Sequence, residues 1–135
     1  MALTAEQRAF LEEKHLSVLG TINASGSPHL TIMWYLVDGD EIMFNTAAGR
    51  AKESNLERDA RASLLVYAPD GYKYIRIDGR VRVITEAATT QADIRRLASR
   101  YYGDEARVER AVRDNFGKQR RISYRLPTTR VYDYR

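Results

Sequence analysis

Glu41-Ile-Met-Phe-Asn-Thr-Ala-Ala-Gly-Arg-Ala-Lys-Glu-Ser-Asn-Leu56 reads as a strand, a tight turn and the start of a helix. Ile42, Phe44 and Thr46 alternate with Glu41, Met43 and Asn45, two faces of one strand. Ala47-Ala48-Gly49 is small enough for backbone to come close to a ligand. Arg50 and Lys52 then fall in the first turn of a helix expected to run to about Asp59, with Leu56 as its apolar anchor. A helix N-terminus carries partial positive charge, so each cation there costs about 0.3–1 kcal/mol. A bound phosphate or carboxylate reverses that sign, because free N–H groups and basic side chains then share one anion. The turn is therefore expected to hold the anionic part of a ligand. The competing reading is two side chains extended into water, which costs little.

Upstream, Thr4-Ala-Glu-Gln7 has the form of a capping box opening a short helix with Phe10 and Leu11 as apolar contacts, ending near Lys14-His15. Leu16 to Asn23 is strand-like, Ala24-Ser-Gly-Ser-Pro28 is turn chemistry, and His29 to Val37 is a second strand. Its faces are His29, Thr31, Met33 and Tyr35 against Leu30, Ile32, Trp34 and Leu36. Asp38-Gly39-Asp40 signals a hairpin into the strand quoted first.

Downstream, Arg61 to Tyr67 is a fourth strand and Pro69-Asp-Gly71 a turn. The cleanest alternation follows: Ile75, Ile77, Gly79, Val81 and Val83 on one face, Tyr74, Arg76, Asp78, Arg80 and Arg82 on the other. That pattern predicts a long antiparallel strand with one face in a core. Thr90-Gln-Ala-Asp93 is expected to cap a helix using Ile94, Leu97, Ala98 and Tyr101, ended by Gly103. Asp104 can cap another, carrying Val108, Ala111, Val112 and Phe116 and closed by Gly117. Arg121 to Tyr134 alternates again, broken at Pro127. Six strands that are mostly sequential neighbours, with three or four helices, close most naturally into a barrel.

With 135 residues, one domain spanning 1–135 is expected. Lys and Arg number 22 against 18 acids, a net charge of +4, which favours anionic partners without naming one. Basic residues are spread out except at Lys118-Gln-Arg120-Arg121. With no cysteine there is no disulfide, thiolate nucleophile or thiolate metal site. The N-terminus has no signal-peptide pattern and no apolar run is long enough to span a bilayer, so a cytoplasmic protein with no membrane partner is expected.

The search for reactive groups returns little. The two histidines are isolated, which speaks against a zinc site. Ser54, Ser63 and Ser123 stand in no nucleophile elbow. Asp78 and Glu41 lie on polar strand faces, where solvation explains them. The Arg76, Arg80, Arg82 stripe is a solvated face or a subunit interface, and as a nucleic-acid surface it lacks an interleaved aromatic platform. His29 starts a strand just after Pro28, where its ring can hydrogen-bond a ligand, but the favoured reading is a partly exposed edge residue. Trp34 can stack on a planar ring, or sit in a core or interface. If the protein does chemistry, the reactive atoms are therefore expected to belong to a cofactor, with the protein supplying the site.

The segments His15-Leu-Ser-Val-Leu-Gly-Thr-Ile22, Gly26-Ser-Pro28-His29, Ile42-Met-Phe44, Thr46, Gly49-Arg50-Ala51-Lys52-Glu-Ser-Asn55-Leu56, Arg58-Asp59-Ala-Arg61-Ala-Ser63, Asp70-Gly71-Tyr72 and Ile77-Asp78-Gly79-Arg80-Val81, in this order, resemble a known family. It is the pyridoxamine-phosphate-oxidase-like split β-barrel superfamily, and within it the class-B flavin/deazaflavin oxidoreductases. The resemblance covers most of the chain to Val83, and R-x-K-x-x-N-L is its most specific part. It implies a mainly β fold, a six-stranded antiparallel split β-barrel with flanking helices, FMN-binding split-barrel type. It also implies a homodimer with two cofactors at the interface, coenzyme F420 or alternatively FMN. By position, Arg50 and Lys52 would hold the cofactor phosphate, and Thr46 with the Ala47-Ala48 backbone would line the ribityl chain. Tyr72 and Tyr74 match a segment that approaches the cofactor, and Phe44, Asn55 and Trp34 complete the candidate contacts. The implied activity is hydride transfer between F420 and an unsaturated small-molecule acceptor. An FMN enzyme and a non-catalytic carrier are the alternatives. Relatives often carry proline before the arginine where this chain has Gly49, a change expected to loosen the turn.

Overall fold

The computed structural model describes residues 3–135. In chain order these form α1 (Ala5–Glu12), β1 (Ser17–Ile22), β2 (Pro28–Met33), β3 (Leu36–Asp38), β4 (Glu41–Ala47), α2 (Ala51–Arg58), β5 (Arg61–Tyr67), β6 (Tyr74–Arg80), β7 (Arg82–Ile84), α3 (Ala87–Tyr102), α4 (Glu105–Asp114), a 3₁₀ turn (Phe116–Lys118), β8 (Arg121–Pro127) and β9 (Val131–Tyr134).

Six strands in the sequence become nine because three of them bend. One sheet has the order β2-β1-β5-β6-β9, the other β3-β4-β8-β7. The strand His29 to Val37 passes from the first sheet to the second at Trp34-Tyr35, and the strand from Tyr74 does so at Val81. The last strand returns from the second to the first after Pro127. Counting each bent strand once, the pairings form a closed ring in the order 1-2-3-6-5-4, all antiparallel. This is a six-stranded split β-barrel with flanking helices, as the resemblance implied.

The ring encloses the main core. Leu19, Ile42, Phe44, Leu64, Val66, Ile75, Ile77 and Leu126 are all wholly buried. Leu56 of α2, 2% exposed, packs against the same core, and its truncation to alanine is worth about 2–5 kcal/mol. The bends change the alternation read from sequence. Ile75 and Ile77 face the core, but past the bend Val83 is 47% exposed, because β7 pairs with β8 in the other sheet. In β2 the core face is Met33 with Tyr35 beyond it, which leaves Leu30 66% and Ile32 58% exposed.

Helix ends depart from expectation where side chains have better partners. The α1 capping box is present: Gln7 N–H donates to Thr4 Oγ1 at 3.1 Å and Thr4 N–H to Gln7 Oε1 at 2.9 Å. The helix stops at Glu12, before Lys14-His15, and Arg100 donates to the carbonyls of Leu11, Glu12 and Glu13 at its end. α3 starts at Ala87 rather than at Thr90. Thr90 and Asp93 are buried inside it, and Asp93 is taken by Arg125, whose Nη1 lies 2.9 Å from Asp93 Oδ2. Gly103, at φ +66°, ends α3 in the left-handed conformation expected, and Asp104 caps α4 through Ala106 N–H at 3.0 Å. α4 ends before Asn115, so Gly117 lies in the 3₁₀ turn and does not close the helix.

Candidate functional site

β4 carries the site because both its faces are covered. Phe44 points into the barrel and stacks on Tyr124 with centroids 5.1 Å apart. On the opposite face Met43 packs against Ile94 and Leu97 of α3. Asn45 lies buried between strands and helix, its Nδ2 donating to Thr90 O at 3.1 Å and to Ser123 Oγ at 2.8 Å. The chain then turns through Ala47-Ala48-Gly49 into α2. Ala48 N–H donates to Arg120 O at 2.8 Å and Gly49 N–H to Glu53 Oε1 at 2.7 Å. Gly49 has φ +90°, a conformation closed to proline, whose ring fixes φ near −65°. Glycine here is a requirement of this turn, and two hydrogen bonds hold it, so the expected loosening is not what the geometry gives. Arg50 is the N-cap residue and supplies no side-chain cap, which leaves the first N–H groups of α2 without that help.

A groove of about 290 Å³ opens over this turn. One side is polar and cationic: Asn45, Thr46, Ala47, Arg50, Lys52 and Arg121. The other is apolar: Ile32, Met33, Trp34, Ile94, Leu97 and Phe116. Trp34 is held by α3, stacked on Tyr101 at 5.2 Å and meeting Tyr102 edge-on at 5.1 Å.

The electrostatics are unbalanced. Lys52 is 8% exposed, and among the described residues it has neither a hydrogen bond nor an ion pair. Burial, then the charges of Arg50 and Arg121, hold its pKa below the usual lysine range. Burial, with Arg50 adding to it, pulls Arg121 down to about 10. Elsewhere arginines find carboxylates, as Arg61 does with Asp59 at 2.7 Å and Arg82 with Glu41 at 2.8 Å. Three cations around one groove with no carboxylate lining it make a site that an anion would complete. The residues present therefore fit a phosphate-bearing group.

Of the sequence candidates, Trp34, Thr46, Ala47, Arg50 and Lys52 come together here, and Ala48 is their chain neighbour. Phe44 is wholly buried in the barrel and does not line the groove. Asn55 turns away to β1, its Nδ2 donating to Thr21 Oγ1 and Asn23 Oδ1, each at 3.0 Å. Tyr72, 85% exposed, and Tyr74, stacked on Tyr134 at 4.8 Å, lie at the β5–β6 hairpin and do not line the groove of their own chain. Arg121 and Asn45 join the site without having been legible as site residues. The basic run at Lys118–Arg121 was the one signal for Arg121, and nothing local marked which of its cations would face β4.

A larger depression, about 740 Å³, lies on the five-stranded sheet between Leu30, Ser63, Asp78 and Arg130. Ser63 Oγ donates to Asp78 Oδ1 at 2.7 Å, and Arg76 Nε to the same oxygen at 3.1 Å. This serine is bonded to a carboxylate that an arginine already holds, which is structure rather than nucleophile activation. Among the described residues no group of three potential metal ligands occurs, and no helix is long and apolar enough to cross a membrane.

A closed six-strand ring with a cationic groove at the strand–turn–helix junction defines a split-barrel protein with a site for an anionic ligand. The chain belongs to the pyridoxamine 5'-phosphate oxidase family, which it matches over residues 3–132. It is 29% identical over 112 residues to an F420H(2)-dependent biliverdin reductase of Mycobacterium tuberculosis, covering 82% of this chain and 80% of that protein. Its fold is similar to that of a conserved hypothetical protein of the same organism, with TM-score 0.79 and 29% identity over 100% of this chain and 87% of the other. An F420 reductase structure is similar at TM-score 0.75 and 21% identity, covering 96% and 98% of the two chains.

Proposed function

We propose that the protein is an F420-dependent oxidoreductase that passes a hydride between the deazaflavin and an unsaturated small-molecule acceptor. The observation that carries this reading is Lys52: a side chain 8% exposed at a helix N-terminus, flanked by Arg50 and Arg121, whose amine has no hydrogen-bond or ion-pair partner among the described residues. The similarity to an F420H(2)-dependent reductase supports the deazaflavin over FMN, which also ends its ribityl chain in phosphate. Bound there, the cofactor would supply the ring that donates or accepts hydride. Arg50 and Lys52 would bind its phosphate, Thr46 and the Ala47-Ala48 backbone would line the ribityl chain, and Trp34 would orient a ring and keep water from one side. The described lining holds no carboxylate or imidazole, so solvent would supply the proton while backbone N–H groups polarise the acceptor.

A cavity of about 290 Å³ sits at the lower end of what small-ligand sites enclose. It is bordered by Ile32, and Ile32 and Leu30 are exposed apolar residues on β2. We infer a homodimer whose second copy covers this face and completes the groove, with the partner's Tyr72 and Tyr74 near the cofactor. The test is a fluorescence titration of purified protein with F420 and with FMN. Tight binding of F420 supports the reading, and tight binding of FMN alone replaces it with an FMN enzyme. Lys52→Ala should weaken the bound cofactor by about 1.5–3 kcal/mol, the range for a charge-assisted hydrogen bond. An unchanged dissociation constant removes Lys52 from the site.

A further inference from the structure

The strand–turn–helix junction accounts for two of the groove's three cations. Arg121 comes from β8, whose register places it opposite Ala47. Its guanidinium is fixed on one side. Nε donates to Asn45 Oδ1 at 2.9 Å, Nη1 to Gln119 Oε1 at 2.6 Å, and the Phe116 ring centre lies 5.3 Å from its Cζ. Asn45 is anchored in turn by Thr90 O and Ser123 Oγ. Gln91 Nε2 ties down the 3₁₀ turn through Phe116 O at 2.9 Å and Gln119 O at 3.1 Å.

Every hydrogen-bond partner of Arg121 is thus a neutral amide oxygen. Arg125, similarly buried at 6% exposed against 9%, has the carboxylates of Asp93 at 2.9 Å and Asp38 at 3.2 Å. Glu53, the residue after Lys52, spends its carboxylate on Gly49 N–H at 2.7 Å and on Arg120 at 3.8 Å. Arg121 is therefore buried, aligned and left with its charge unbalanced beside two others. A single negative charge would neutralise one of the three cations and leave two repelling each other at low solvent exposure.

We propose that Arg121 is a third ligand of the bound anion, that Asn45 is its positioning residue, and that the three cations select a ligand bringing at least two negative charges to the groove. This rests on the reading that the groove holds a phosphate-bearing cofactor. The required chemistry has two sources: a phosphomonoester dianion, as in FMN, or a phosphodiester followed by carboxylates, as in F420.

The experiment titrates wild type, Arg121→Gln, Arg121→Lys and Asn45→Asp with FMN, F420 and phosphate-free riboflavin at constant ionic strength. Fluorescence is the readout. Arg121→Gln should weaken the phosphate-bearing ligand about ten- to a hundredfold and riboflavin less than about twofold. Arg121→Lys should recover part of the loss. Asn45→Asp places a carboxylate on the guanidinium and should cost about tenfold for the phosphate-bearing ligand alone. The stronger of FMN and F420 identifies the source of the charge.

Equal loss for riboflavin and the phosphate-bearing ligand, or no loss for either, overturns the proposal. In parallel, melting curves compare inorganic phosphate with chloride at matched ionic strength. Phosphate should raise the melting temperature of wild type and not that of Arg121→Gln. If neither cofactor binds but this phosphate effect persists, the cofactor reading fails and the anion site stands. If phosphate acts no differently from chloride on wild type, the anion site itself is refuted. Should Arg121→Gln not fold, Arg121→Lys and Asn45→Asp carry the same comparison between phosphate-bearing and phosphate-free ligands.

Discussion

Lys52 lowers the stability of the chain that carries it. The side chain is largely buried beside two other cations, and its folded-state pKa lies below 10.5, its value in an unfolded chain. At pH values below the depressed pKa both states are protonated, and the cost of the buried charge is fully present. As pH rises through that pKa toward 10.5, the folded chain has released a proton that the unfolded chain still holds, and the cost disappears. Lys52→Met should therefore melt higher than wild type at neutral pH without ligand, by about 1–2 kcal/mol. The gap should narrow as pH climbs toward that limit, and urea titrations along a pH series would measure it. A variant less stable than wild type at neutral pH would mean that Lys52 is already compensated. With the proposed anion role, function and stability would oppose each other at this residue. Phe44 and Asn55 show a limit of local reading, because both sit in the recognisable pattern yet one fills the barrel and the other braces β1.

At the scale of elements, α3 shapes the groove without belonging to the barrel. Its apolar face supplies Ile94 and Leu97 to the wall, and its C-terminal end holds Trp34. A buried ion pair helps dock it: Asp93, 2% exposed, receives two hydrogen bonds from Arg125 at 2.9 and 3.3 Å. Asp38 also meets Arg125, and Arg96 lies 3.6 Å from Asp93. Asp93→Asn leaves a buried guanidinium short of a charge and should destabilise the fold by about 3 kcal/mol, read from the denaturation midpoint. Cofactor affinity should fall along with it, because Trp34 and Phe116 lose their support. The sequence suggested Asp93 as part of a cap, since a Thr-x-x-Asp run before an apolar stretch has that form. Its partner lies 32 residues away on β8, and no spacing rule reaches that far. Caps whose partners are three residues off, such as Thr4 with Gln7, were legible for the same reason.

For the whole molecule, α1 and α3 pack on strands of the four-stranded sheet and α2 on β1, while β2 presents Leu30 and Ile32 outward. These two apolar residues are 66% and 58% exposed; Ile32 borders the candidate groove and Leu30 the larger depression. If a second copy covers them, Ile32→Glu should shift the protein to monomer in light scattering and weaken cofactor binding at least tenfold, with little change in the monomer's own fold. A variant that stays dimeric would place the interface elsewhere.

Strand alternation up to the bends, the caps at Thr4 and Asp104 and the pair of cations Arg50 and Lys52 were legible in the sequence itself, because each depends on neighbours within a few residues. So were the barrel class and the expectation of an anion. Where the strands bend, which faces end exposed, and which third cation joins the pair depended on tertiary structure. Arg121 lies 76 residues from its partner Asn45. Only closure of the strand ring brings β8 beside β4, and only the packing of α3 above them buries Asn45 against Thr90 and walls the groove with Ile94 and Leu97.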